Sequence, residues 1–416
     1  MKLKRDLLIF LLIPFFVYSC SRKTTSSTNQ QSTENNQKTN MEIEPAESNN
    51  LFAFDLMKNL DLSSQNTIIS PFSINTAIAM AYGGARNKTM EQMAEVMYYS
   101  LNQETFHPAF SNYYESVKEL STSKTGFEAA NSIYAQEDYG FIKEYFEVIE
   151  KNYGSVLKFV DFYKGDREAI RQEINKWVED KTNSKIQELI KKNILTEDTR
   201  MVIVNAIYFL AEWAVAFEEK ASYEGRFNTP KEPSRTTFMT NTHEYNYYND
   251  KNYSAIELPY HDNKFSMLIV LPEKEEKLED FVSTFKTSNY NEIIDSFEKQ
   301  KVEIHIPKFK VKLHLELQEV LSELGMPLAF SNNADFSGMT GKLDLKIDKV
   351  IHQAYIEVDE KGTEAAAATA VVIIRKTAET PNDKTIFKAD RPFVFFIKEN
   401  TSNSIIFSGS IINPEK

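Results

Sequence analysis

The 416-residue chain carries one cysteine, Cys20, and no second with which to pair it. That excludes an intrachain disulfide framework and a cysteine-built zinc site. Positive charge is also in deficit: 48 Lys and Arg stand against 60 Asp and Glu, a formal net charge of −12. Without a basic stripe to follow phosphates, nucleic acid is excluded as a partner, and the acidity speaks chiefly of solubility. No HExxH, GxSxG, P-loop or GxGxxG sequence is present, so the common hydrolase and nucleotide-binding signatures are missing. The histidines, His107, His243, His261, His305, His314 and His352, show no ligand spacing. His305, in the alternating stretch VEIHIP, reads as a strand residue. These absences point away from an enzyme and imply no cofactor and no metal.

Long hydrophobic runs are lacking too. The apolar run Leu7 to Tyr18 has 12 residues, short of the roughly 20 that a membrane-spanning helix needs. It follows Lys2, Lys4 and Arg5 and ends at Ser19-Cys20. A basic start, a short apolar stretch and a small residue before a cysteine resemble a bacterial lipoprotein signal. Residues 1–19 are then expected to be removed and Cys20 lipidated. The expected product is exported and held at a membrane by its N-terminal lipid alone, facing the periplasm or the cell surface. Residues 20–49 are rich in Ser, Thr, Asn and Gln with almost no apolar content, and are expected to form a flexible tether.

From about residue 50 the composition turns globular, with no repeat and no second linker. The chain's 42% hydrophobic and 12% aromatic content is enough for a sizeable core. Helical spacing appears in Leu51–Leu60, Ile74–Tyr82, Thr89–Met97 and Arg167–Lys181; the turn Gly83-Gly84 separates the second and third. Met201–Phe209, Phe265–Leu271, Val302–Ile306, Phe393–Ile397 and Ile405–Ile411 read as strands, two of them closed by Pro272 and Pro307. Helices and strands without βαβ alternation predict an α+β fold with mostly antiparallel sheets.

One stretch resists assignment. Residues 359–383 read DEKGTEAAAATAVVIIRKTAETPND. Ala365 to Ala368 favour helix, Val371 to Ile374 favour strand, and Arg375, Lys376 and Thr377 lead into a loop composition.

Several segments together resemble the serpin family of serine-protease inhibitors. They are NTIISPFSINTAIAMAYGGARNKTMEQM, VNAIYFLAEWAVAFE, HIPKFKVKLHLELQEVLSELGMPLAFSNNADFSGMT, IDKVIHQAYIEVDEKGTEAAAAT and RPFVFFIKENTSNSIIFSGSIINP. They follow the family's order over about residues 50–416. The resemblance implies a single domain with a large central, mostly antiparallel sheet, two further sheets and eight or nine helices. An exposed reactive loop would span about residues 360–391.

It also implies a mechanism. A target protease cuts the loop as a substrate, and the loop's N-terminal half then inserts as a strand into the central sheet, trapping the acyl-enzyme. The hinge would comprise Glu360, Gly362, Thr363, Glu364, Ala365, Ala366, Ala367 and Ala368. The inward face of the inserted strand would carry Thr363, Ala365, Ala367, Thr369, Val371 and Ile373, all uncharged, with Glu364 on the opposite face. Counting the family's sixteen residues from Glu360 reaches Lys376, so the scissile bond is expected at Lys376–Thr377, with Arg375 the close rival. From Lys376 to Pro392 the chain is about five residues longer than the family commonly has, which blurs a register counted from that side.

Ser70, Ser73, Asn205 and His352 match the family's polar cluster beneath the sheet. Trp213, Lys308 and Glu360 match the site where the loop enters, and a Glu360–Lys308 ion pair is expected. Lysine at the cleavage point implies trypsin-like serine proteases as partners; elastase-like, subtilisin-like and cysteine proteases remain open, as does a non-inhibitory binding or carrier role. The protein is expected to act as a monomer.

Overall fold

Proline at the first helical position starts the globular part earlier than composition suggests. Helix α1 runs Pro45–Lys58, so the expected tether loses its last five residues. Pro at this position has no helical N–H to waste and its φ is already helical. Asn49, read as linker, and Asn50 beside it are buried because their amides bond the main chain of Ile405. The computed structural model describes residues 43–62, 64–153, 156–274, 276–363 and 385–415. The expected signal, Cys20, residues 20–42 of the tether, Glu364 to Ala368, Arg375, Lys376 and Thr377 lie outside the described residues.

After α1 come β1 (Thr67–Ile69), α2 (Pro71–Tyr82), α3 (Asn87–Met97) and α4 (Gln103–Lys118). Next are β2 (Thr125–Gln136), α5 (Lys143–Tyr153), β3 (Val156–Val160), α6 (Arg167–Lys181) and β4 (Met201–Glu212). Four strands come in succession: β5 (Tyr223–Phe227), β6 (Ser234–Asn249), β7 (Tyr253–Pro259) and β8 (Phe265–Pro272). Helices α7 (Leu278–Thr284) and α8 (Thr287–Asp295) lead to β9 (Glu298–Pro307), β10 (Phe309–Glu316), α9 (Gln318–Leu324) and α10 (Ser337–Thr340). The chain closes with β11 (Lys349–Val358), β12 (Gly362–Thr363), β13 (Thr385–Lys388), β14 (Phe393–Glu399) and β15 (Ile405–Ile411). Ten α-helices are described, of which α9 and α10 have seven and four residues, against the eight or nine expected.

The central sheet has the order β10-β11-β12-β4-β2-β3. It is mostly antiparallel; β2–β3 and β4–β11 are parallel pairs. The two smaller sheets expected from the resemblance are joined into one nine-stranded sheet. The sixteen-residue β6 makes the join, pairing with β5 and β9 along one part and with β7 through Asn246–Asn249.

The sequence of β4, MVIVNAIYFLAE, is apolar almost throughout because both faces are covered. Met201, Ile203, Ile207, Phe209 and Ala211 enter the main core. Val202, Val204 and Ala206 face the other way, onto Ile174 and Val178 of α6. Alternation along a strand sends successive side chains to opposite faces. Asn205 therefore points into the main core, where a polar side chain needs partners.

Candidate functional site

β4 and β11 pair directly over seven residues, from Lys349↔Val202 to Tyr355↔Tyr208. Beyond that point they part, and the two residues of β12 fill the gap. Thr363 pairs with Val358 on one side and Ala211 on the other, and Gly362 pairs with Glu212. The central sheet is thus closed along most of its length and open at one end, with Gly362 and Thr363, the described part of the expected hinge's strand, already seated there.

Asp359 shapes the turn that delivers this strand. Its Oδ1 accepts the N–H groups of Lys361 and Gly362 at 2.8 and 3.2 Å, and its own N–H donates to the Gly362 carbonyl. The neighbouring segment then holds the turn by its main chain. Trp213 and Phe217 donate their backbone N–H groups to the carbonyls of Lys361 and Glu360, and Trp213 Nε1 donates to the Asp359 carbonyl. Gly362 is required by close approach: a Cβ here would sit 1.9 Å from the Ala211 carbonyl oxygen. Thr363 is fully buried, and its hydroxyl meets that of Tyr260 at 2.6 Å. Trp213 stacks on the Tyr260 ring at 4.5 Å.

Glu360 is buried while its partner Lys308 is half-exposed; Nζ and Oε2 are 2.7 Å apart, the ion pair expected from the sequence. Ser222 donates to the other carboxylate oxygen at 2.7 Å. Burial pushes the Glu360 carboxyl up, but the hydrogen bonds from Lys308 and Ser222 outweigh it, and the net shift is downward.

Deeper in the sheet a polar row crosses three strands. Asn131 of β2, Asn205 of β4 and His352 of β11 share one register. The Ser70 N–H donates to His352 Nε2 at 3.2 Å, so the ring proton sits on Nδ1 and donates to Asn205 Oδ1. The Asn205 amide donates to the carbonyl and hydroxyl oxygens of Ser73, at 2.8 and 2.6 Å, and to Asn131 Oδ1 at 2.5 Å. Ser70 caps α2 through Ser73 N–H and donates its hydroxyl to the Ile406 carbonyl. The four residues picked out by sequence are therefore one fully buried network. Burial drives His352 down to about 3, with nearby His314 adding to the effect, because a second ring proton would be uncompensated here.

Sequence reasoning missed Asn131, Ser222, Tyr260 and Asp359. Asn131 sits beside Ser132 in the mixed stretch FEAANSIYA, so its own sequence gives no signal as clear as Asn205 in β4. Among the described residues no cluster of three or more His, Cys, Asp or Glu is placed to hold a metal, and no helix is long and apolar enough to cross a membrane.

A sheet held open at one end by the start of a loop, above a buried polar row, is the architecture of a serpin, and comparison with known proteins agrees. The family described as serpin (serine protease inhibitor) matches residues 47–414, and the chain belongs to it. An uncharacterised serpin-like protein of Thermococcus kodakarensis is 37% identical over 366 residues, 88% of this chain and 85% of that protein. The leukocyte elastase inhibitor of Sus scrofa is 34% identical over 378 residues, 88% of this chain and 98% of that protein. The crystal structure of the thermophilic serpin tengpin in its native state matches with a TM-score of 0.81 at 28% identity, over 90% of this chain and 95% of that one. Members of the family are in general protease inhibitors rather than catalysts.

Proposed function

We propose that this protein is an irreversible suicide-substrate inhibitor of serine proteases, with trypsin-like enzymes as its target class and Lys376–Thr377 as its reactive bond. The observation that carries the reading is the seat of Gly362-Thr363 at the open end of the β4–β11 pair.

That seat fixes the register in which the rest of the loop would insert. Continued downward from Val358↔Thr363 and Thr363↔Ala211, it brings Thr369 between His352 and Asn205, and Ile373 between Asp348 and Met201. Thr363, Ala365, Ala367, Thr369, Val371 and Ile373 then share the main-core face, and Thr369 brings a hydroxyl to the polar row. Glu364 falls on the opposite face, so no unpaired charge enters the main core. After Glu364, that face continues with Ala366, Ala368 and Ala370, small enough to pass beneath a packed helix. A loop that served only as a spacer would not need this phase.

In operation the protease attacks the Lys376 carbonyl and is acylated. The freed N-terminal half of the loop inserts, parts the seven β4–β11 pairs, and carries the acyl-enzyme with it. About a dozen new backbone hydrogen bonds, each worth roughly 1 kcal/mol net, drive the step. Lysine at this position suits a pocket with a buried aspartate. The non-inhibitory carrier reading calls for bulky or charged hinge residues, and Gly362-Thr363 followed by four alanines is the opposite.

The hinge, the polar row and the Trp213–Lys308–Glu360 group act as the guide, the bolt and the mouth of the slot. The protein acts as a monomer, exported and anchored through Cys20. Mass spectrometry of the C-terminal fragment released by trypsin tests the assignment of the bond. A fragment starting at Thr377 supports it, and one starting at Lys376 or further upstream contradicts it.

A further inference from the structure

The strand pair that insertion must part is fastened at its far end as well. Just before β11 begins, Asp348 is half-buried and reaches across to the start of β4. Its Oδ2 accepts the N–H of Arg200 at 2.7 Å and that of Met201 at 3.2 Å. The Asp348 N–H in turn faces the Met201 carbonyl at 3.4 Å. One carboxylate oxygen thus gathers two successive amides of the opposite strand, and such charge-assisted bonds are roughly twice as strong as neutral ones. Arg200, despite its charge, gives its side chain to the carbonyls of Glu197 and Thr199 and lies over the Tyr163 ring. Asp348 therefore serves the two main chains rather than a side-chain ion pair with Arg200.

We propose that Asp348 is a positioning residue for loop insertion, a latch that ties β4 to β11 at the end opposite the seated hinge. This role rests on the insertion reading of the protein's function. In the register set by Thr363, a strand of residues 365–370 ends between Val204 and Ile351, short of the latch. A strand of residues 365–374 reaches Ile373 and Ile374, and these must displace Asp348 from Met201 and Arg200. The latch therefore resists only an incoming strand long enough to reach it. Partial insertion stays easy, while full insertion waits on the driving force that cleavage provides.

The test compares two fluorescein-labelled synthetic peptides, residues 365–370 and 365–374, incubated with the purified full chain and with Asp348→Ala. Uptake is monitored on native gels. The long peptide is expected to anneal about tenfold faster to D348A, the rate equivalent of losing about one charge-assisted hydrogen bond, and the short peptide at an unchanged rate. Asp348→Asn keeps an acceptor oxygen and is expected to fall between. Should D348A not be recovered folded, Asp348→Ser, whose hydroxyl is too short to reach both amides, carries the same comparison. Equal acceleration of both peptides would mean general loosening and would overturn the latch, as would unchanged uptake of the long one. If the unsubstituted protein takes up neither peptide, the insertion reading falls and the latch with it.

Discussion

The hydroxyls of Tyr260 and Thr363 lie 2.6 Å apart in the interior, joining residues 103 positions apart in the chain. This contact turns the Thr363 side chain inward, and on the insertion reading proposed above it sets the face of every later residue in the inserted strand. Tyr260→Phe removes the partner of the Thr363 hydroxyl, and an unsatisfied buried group costs about 1–3 kcal/mol. The variant should require more than one inhibitor per protease inactivated, because a hinge that seats less well inserts more slowly. Emission from Trp213, stacked on the same ring, should shift as well. Unchanged stoichiometry together with unchanged emission would count against the seat.

Gly362→Ala places a methyl group where the Ala211 carbonyl oxygen already lies, at 1.9 Å. Because the clash is with backbone, no rotamer relieves it. The expected result is a chain cleaved by trypsin as a substrate, with little inhibition, while the folded core unfolds at close to the normal temperature. Retained inhibition would show that β12 is not on the insertion path.

Glu360→Lys sets a second cation against Lys308 and leaves Ser222 without its carboxylate. Like charges at the mouth of the slot should hold it open to the loop of another molecule. Size-exclusion chromatography after mild heating should then show polymers where the unsubstituted protein stays monomeric. The pH dependence has a definite sign. The Glu360 carboxyl titrates below its usual 4.5, so its contribution is present above that value and is lost as pH falls through the lowered pKa. Acid below the lowered pKa, which removes the carboxylate charge, should mimic the substitution in part.

His352 makes a second pH prediction. Its folded pKa of about 3 lies below the ordinary 6.5, so between those values the unfolded chain binds the extra proton and the folded one does not. Stability then falls as pH drops from about 6.5, at up to roughly 1.4 kcal/mol per unit. His352→Gln should be less stable at pH 7.5 and should lose that part of the slope. Urea unfolding at pH 7.5, 5.5 and 4.5 should show the two proteins converging, whereas parallel curves would refute the assignment.

Much of this was legible along the chain. Ser70 and Asn205 are picked out by the family-like segments SPFS and VNAIYFLAEW around them. Glu360 and Lys308 are named by the motifs around them. What escaped depends on contacts between distant segments. Ser222 and Tyr260 are ordinary in their own surroundings, and only the fold brings them to residues near 360. Asn49 looked like linker because composition cannot see that an amide may be buried once it satisfies a strand's backbone. The joining of two sheets through β6 was likewise invisible, since Ser234–Asn249 is too polar to stand out as a strand from its own sequence.

The central claim is that the loop traps its protease. The most direct measurement is an SDS gel of the chain from Ser21 onward, mixed with an equimolar amount of trypsin. The predicted result is a new band at the summed mass of the acyl-enzyme complex, stable to SDS, with trypsin activity lost in proportion. A cleaved chain with no such band and fully active trypsin would contradict it.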